Sequence, residues 1–175
     1  MREPSFEELF RVADLFGVEP GHLLSPNTLI PLGHSLQVRG RVEAGAWAVA
    51  YEYAQDDMLT FTGRADIDVD PKHRFGLMVR GDSMDEMYPE GTILECVSVF
   101  AGIEPAPGKR VIMVRKNLDG DVEATVKELV ERDGDLWAVP RSSNPAHFPF
   151  KVGEPQPGIT EVQIIAVVVA SIRQE

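Results

Sequence analysis

From residue 91 onward, short apolar runs alternate with turn residues, and that rhythm restricts the fold more than any other feature of the chain. The runs fall at 91–99, 110–115, 123–130, 136–140 and 162–172. Turn residues separate them at 105–108, 117–120 and 133–135. Short strands at this spacing predict a mainly β domain, with 116–121 as a hairpin loop. Two earlier stretches join it. Residues 75–79 are a short apolar run bounded by turn signals, a buried strand. Residues 36–44 alternate: Leu36, Val38, Gly40, Val42 and Ala44 share one face, and Gln37, Arg39, Arg41 and Glu43 the other. That is a half-buried strand. The run 164–169 is apolar on both faces and belongs inside the fold or at a subunit interface.

The strand at 75–79 leads into Arg80-Gly81-Asp82-Ser83-Met84. A glycine and a small hydroxyl residue there suit a tight turn that fixes a side chain. Serine is a weak nucleophile without a base beside it. The candidate base is Lys127. In the strand at 123–130, Thr125, Lys127 and Leu129 share one face, and Ala124, Val126, Glu128 and Val130 share the other. If the first face turns inward, Lys127 is desolvated and its pKa falls, so a neutral amine can take a hydroxyl proton. Ser-Lys is a known variant of the Ser-His-Asp arrangement. Taken singly, a Gly-Asp-Ser turn is usually only a turn, and a strand lysine usually snorkels at the surface. A triad of Ser83 with His147 is the competing arrangement, without motif support.

Gly81-Asp82-Ser83-Met84, Pro89-Glu90-Gly91-Thr92 and Thr125-Val126-Lys127 together resemble the C-terminal peptidase domain of the self-cleaving LexA and phage-repressor family. Val42-Glu43-Ala44-Gly45-Ala46-Trp47 resembles that family's cleavage segment, and 136–144 its Leu-x-Pro-x-Asn segment. The resemblance covers residues 36–172. It implies a compact β domain like that of LexA and signal peptidase. It implies Ser83 as nucleophile, Lys127 as base, the backbone N–H groups of Asp82 and Ser83 as oxyanion donors, and a cut between Ala44 and Gly45. It also implies a homodimer, and a cut that is promoted by an activated RecA filament under DNA damage and separates the DNA-binding half from the dimerising half. The alternative is a non-cleaving dimerisation or effector-sensing module of a phage-type regulator.

The first residues predict a short helical segment. Ser5 and Glu8 form a capping box. Phe6, Leu9, Phe10, Ala13 and Phe16 keep helical spacing, and Gly17 is a natural stop. Residues 4–24 resemble the last two helices of a lambda-repressor-type helix-turn-helix domain. The DNA-reading helix of that family lies earlier, so the chain is expected to be either a fragment or a form that has lost DNA binding. The organisation is then 1–26 helical remnant, 27–35 linker and 36–175 peptidase and dimerisation domain. Acidic residues 51–70 read as an exposed connection, and Trp47 as a core anchor.

The net charge is −11, which repels phosphate backbones, and the five lysines do not cluster. DNA binding would therefore need the largely missing helix-turn-helix domain. No run of about eighteen apolar residues is present, so no membrane span is expected, which also argues against a signal-peptidase-like enzyme. One cysteine, Cys96, forms no internal disulfide and reads as a small buried hydrophobe, consistent with the cytoplasm. His22, His34, His73 and His147 are scattered, and no metal or cofactor is expected.

Overall fold

The computed structural model describes residues 10–11, 33–43 and 59–173. The chain divides into two units, Met1–Leu32 and Gly33–Glu175. Of the first, Phe10 and Arg11 are described, and both are helical. The rest of the expected N-terminal helices, the cleavage dipeptide Ala44-Gly45, Trp47 and residues 51–58 lie outside the described residues.

The second unit is mainly β, as expected. Its strands are β1 (Ser35–Glu43), β2 (Thr60–Thr62), β3 (Arg74–Arg80), β4 (Ile93–Ser98), β5 (Arg110–Asn117), β6 (Val122–Arg132), β7 (Asp135–Val139), β8 (Phe150–Lys151) and β9 (Ile159–Ile172). They form one sheet in the order β2-β1-β3-β4-β9-β5-β6-β7-β8. Among the described strands, β1 with β3 is the parallel pair; the other pairings are antiparallel.

The burial of each strand follows from its place in this order. In β1, burial alternates strictly, with Leu36, Val38, Gly40 and Val42 inward. In β4, between β3 and β9, Ile93 to Val97 are all buried. The apolar run of β9 lies between β4 and β5, where Ala166, Val167 and Val168 are buried. The middle of this run is therefore used inside the sheet, while Ile164, Ile165 and Val169 are half-buried. Cys96 is fully buried, and burial pushes its thiol well above the ordinary range, so it is inert as a nucleophile. One core cluster gathers Val42, Val79, Met84, Leu94, Ile112 and Val126; the other gathers Val111, Met113, Leu129, Ala138 and Val167.

Arg74 and Glu95, both buried, pair across β3 and β4. Arg74 Nε donates to Glu95 Oε1 at 3.0 Å, and Arg74 Nη2 donates to Arg64 O at 2.6 Å. Arg64 N donates to the second Glu95 oxygen at 3.0 Å. The pair is thus hydrogen-bonded on several sides, the condition for tolerating buried charge, and it fixes the loop that follows β2.

Two strands escaped the sequence reading. β2 lies within 51–70, read as an exposed connection. It is three residues long, too short for alternation to register, and Phe61 packs against Gly76 of β3, where a Cβ would come within 2.6 Å of the ring. β8 has two residues and forms against β7. The described aspartates of the same stretch, Asp66, Asp68 and Asp70, are surface groups: Asp66 pairs with Arg64, and Asp70 accepts from Lys72 N at 3.0 Å to cap the 3-10 turn Pro71–His73.

Candidate active site

The serine turn is fixed from three sides. Gly81 has φ +72°, left-handed backbone that favours glycine. The Pro89–Thr92 segment closes onto the end of β3: Val79 N donates to Thr92 O at 2.8 Å, and Gly91 N donates to Val79 O at 2.9 Å. The segment after β7 straps the turn from outside. Ser142 Oγ donates to Asp82 O at 2.6 Å, Asn144 Nδ2 to Asp82 Oδ2 at 2.7 Å, and Glu86 N to Arg141 O at 3.1 Å. His147 Nε2 lies 2.6 Å from Asp82 Oδ1. Hydrogen bonds from Asn144, then His147, hold the Asp82 carboxyl below the usual range. Ser83 is buried at 4% exposure. Among the described residues, the Ser83 N–H donates to no other residue, while the Asp82 N–H helps to lower its own carboxyl.

Lys127 sits in the middle of β6. The face of Thr125, Lys127 and Leu129 does turn inward, and all three are buried. Burial is the main reason why the Lys127 pKa falls from 10.5 to about 8. Glu123 opposes that fall and Arg115 adds to it. These two are register partners on β5 and β6, with Arg115 Nε donating to Glu123 Oε2 at 3.2 Å. Lys127 Nζ donates to Thr125 Oγ1 at 2.7 Å and to Val126 O at 3.1 Å. An amine with a pKa near 8 is deprotonated in a substantial fraction of molecules just above neutrality, which a general base requires.

No hydrogen bond joins Ser83 to Lys127 among the described residues. Their sequence neighbours do meet, although Val126 points to the face opposite Lys127. Met84 and Val126, the residues next to them, pack in one core cluster with Val42. Arg141, on the strap, reaches Glu128, the residue after Lys127. Ser83 with His147 gains no support: Nε2 of that ring engages Asp82, and no hydrogen bond links the ring to Ser83 among the described residues.

The approach to this site comes from β1. In the parallel pairing, Val42 lies opposite Val79 and Glu43 opposite Arg80, so both strands leave the sheet at the same end. Glu43 Cγ is 3.6 Å from where a Gly81 Cβ would stand. The next residue in sequence is Ala44. The Peptidase S24-like pattern matches residues 37–169.

The chain belongs to the Peptidase S24-like family.

That is the family of LexA and the phage repressors. Comparison with curated proteins gives no match. The family pattern takes in β1 from Gln37, the serine turn, β6 and the strap. Several contributors to this S24-like site carried no role in the sequence reading. Thr125 was placed on the face of Lys127, but its bond to Nζ needed coordinates. Ser142 and Asn144 belong to a segment noticed through the resemblance alone. His147 enters the sequence reading only as a competing base for Ser83; its contact with Asp82, 65 residues away, has no local signal.

Proposed function

We propose that this chain is the peptidase-containing part of a repressor-type transcriptional regulator that cuts itself between Ala44 and Gly45. Ser83 Oγ attacks the Ala44 carbonyl carbon. Neutral Lys127 takes the hydroxyl proton and delivers it to the departing Gly45 nitrogen as the C–N bond breaks. Water then hydrolyses the Ser83–Ala44 ester, with Lys127 again relaying a proton, and leaves an Ala44 carboxylate and a free Gly45 amine. The N–H groups of Asp82 and Ser83 would stabilise the tetrahedral oxyanion. The substrate is tethered, so high effective molarity makes a modest catalyst sufficient.

One observation carries this reading: the parallel β1–β3 pair, which ends one residue short of Ala44 beside the serine turn. The buried, low-pKa Lys127 supports it. Regulation by an activated RecA filament, a homodimer, cytoplasmic residence and a DNA-binding part ahead of the peptidase belong to the same proposal and rest on family membership. Among the described residues, no helix is long and apolar enough to cross a membrane.

A second reading has its own observation. Among the described residues, the Lys127 amine bonds to Thr125 and Val126, and no hydrogen bond joins it to Ser83. Through its register with Val111, it also alternates to the face opposite Val126, which packs with Met84. On that reading the domain is a non-cleaving dimerisation or effector-sensing module. Incubation of the wild type, Ser83→Ala and Lys127→Ala at alkaline pH, followed by denaturing gel electrophoresis, separates the two. Self-cleavage predicts two bands from the wild type and one from each variant. One band from all three supports the non-cleaving module.

A further inference from the structure

The strand that leads to the proposed cut is itself part of the core. β1 buries Leu36 at 3%, Val38 at 0% and Val42 at 1% exposure. It is laddered on both edges, with Ser35–Gln37 against β2 and Val38–Glu43 against β3. Val38 N also donates to Leu59 O at 2.8 Å, and Gly63 N to His34 O at 2.9 Å. Val42 packs in the cluster that holds Val79, Met84 and Val126. Every one of these partners lies after residue 45 in sequence. A cut between Ala44 and Gly45 therefore severs the chain without breaking any of these contacts.

We infer that the two cleavage products stay bound to each other through β1, and that their separation is a second, slower step in which β1 peels out of the sheet. The inference rests on the cleavage proposed above. Peeling exposes the three apolar side chains and the slot that they fill, and it leaves strand edges on β2 and β3 unpaired, the exposure that sheet proteins avoid. The vacated slot between β2 and β3 is then an acceptor for an extended segment with apolar residues at every second position, the mode of strand addition. Its own occupant is residues 35–43. Separation of the two halves is thus governed by the seating of β1 as well as by peptide-bond hydrolysis.

The test uses the full chain after alkaline incubation, divided between a denaturing gel and a native size-exclusion column. The expected result is two bands on the gel and a single peak at the position of the uncut chain. Two bands with two separated peaks overturn the inference. A single band on the gel counts against self-cleavage alone. In that case a site for a sequence-specific protease is inserted between Ala44 and Gly45, the chain is cut with that protease, and the column decides by the same two outcomes. Val42→Asp, cut in the same way, is expected to lose co-elution. If that variant does not fold, Val42→Ala is expected to raise the free-fragment fraction on dilution. Wild-type co-elution of a folded Val42→Asp, or an unchanged free fraction for Val42→Ala, would show that β1 does not hold the pieces together.

Discussion

Glu43 lies opposite Arg80 in the parallel pairing of β1 with β3, and its Cγ stands 3.6 Å from where a Cβ on Gly81 would be. The end of one strand and the beginning of the serine turn are thereby neighbours in space, though nearly forty residues separate them in sequence. A local turn motif thus becomes a place where a second stretch of the same chain arrives.

The pH dependence follows from Lys127. Its folded pKa is about 8, against an ordinary 10.5. The neutral fraction, and with it the rate of self-cutting, should rise about tenfold per pH unit below about 8 and level off above it. Densitometry of denaturing gels from pH 6 to 10 checks this. A flat profile would exclude Lys127 as the base.

The same shift has a cost in stability, of a definite sign. Between about 8 and 10.5 the unfolded chain holds the proton that the folded chain has lost, so the contribution of this group to stability rises with pH across that window. Below it, the penalty is fully present, on the order of 3 kcal/mol. Lys127→Met should remove the penalty but leave Thr125 Oγ1 without its donor, at about 1 kcal/mol. Urea denaturation at pH 7 should therefore find the variant more stable by about 2 kcal/mol. That advantage should disappear by about pH 10 to 11.

Much of this was legible in the sequence because period-2 alternation and desolvation are local rules. The inward face of β1 follows from spacing and the turn at Gly81 from residue type; in β6, spacing groups Thr125, Lys127 and Leu129 on one face, but only the fold shows that this face is buried. The rest depended on contacts distant in sequence. β2 is too short to show a period, and Phe61 gains its place only from Gly76 across the sheet. The run in β9 reads equally well as core or interface, and only its place between β4 and β5 shows that Ala166, Val167 and Val168 are core. The strap on Asp82 joins residues about sixty apart.

The strap should matter to the reaction as well as to the fold. Ser142→Ala removes a donor to Asp82 O and the acceptor for Asn144 N, bonds of 2.6 and 3.0 Å. A loss of about 1–2 kcal/mol in urea denaturation is expected. Looser support for Ser83 should also slow self-cutting without abolishing it, by about tenfold for a small displacement of a positioned group. Cutting at the wild-type rate in a destabilised Ser142→Ala would assign the strap to stability alone.

Arg74 and Glu95 offer a test of the fold that is independent of the chemistry. Glu95→Ala leaves the Arg74 guanidinium buried without its carboxylate, and a loss of about 3–5 kcal/mol is expected. The double variant Arg74→Met, Glu95→Leu removes both charges and should recover much of that loss. Thermal denaturation of the three chains checks the order.

Intact-mass spectrometry of the purified chain, before and after an alkaline shift, tests the central claim most directly. The account predicts two new species with the masses of residues 1–44 and 45–175, the second bearing a free Gly45 amine, and neither in Ser83→Ala or Lys127→Ala. A wild-type chain of unchanged mass, a cut at any other bond, or the same cut in either variant would contradict it.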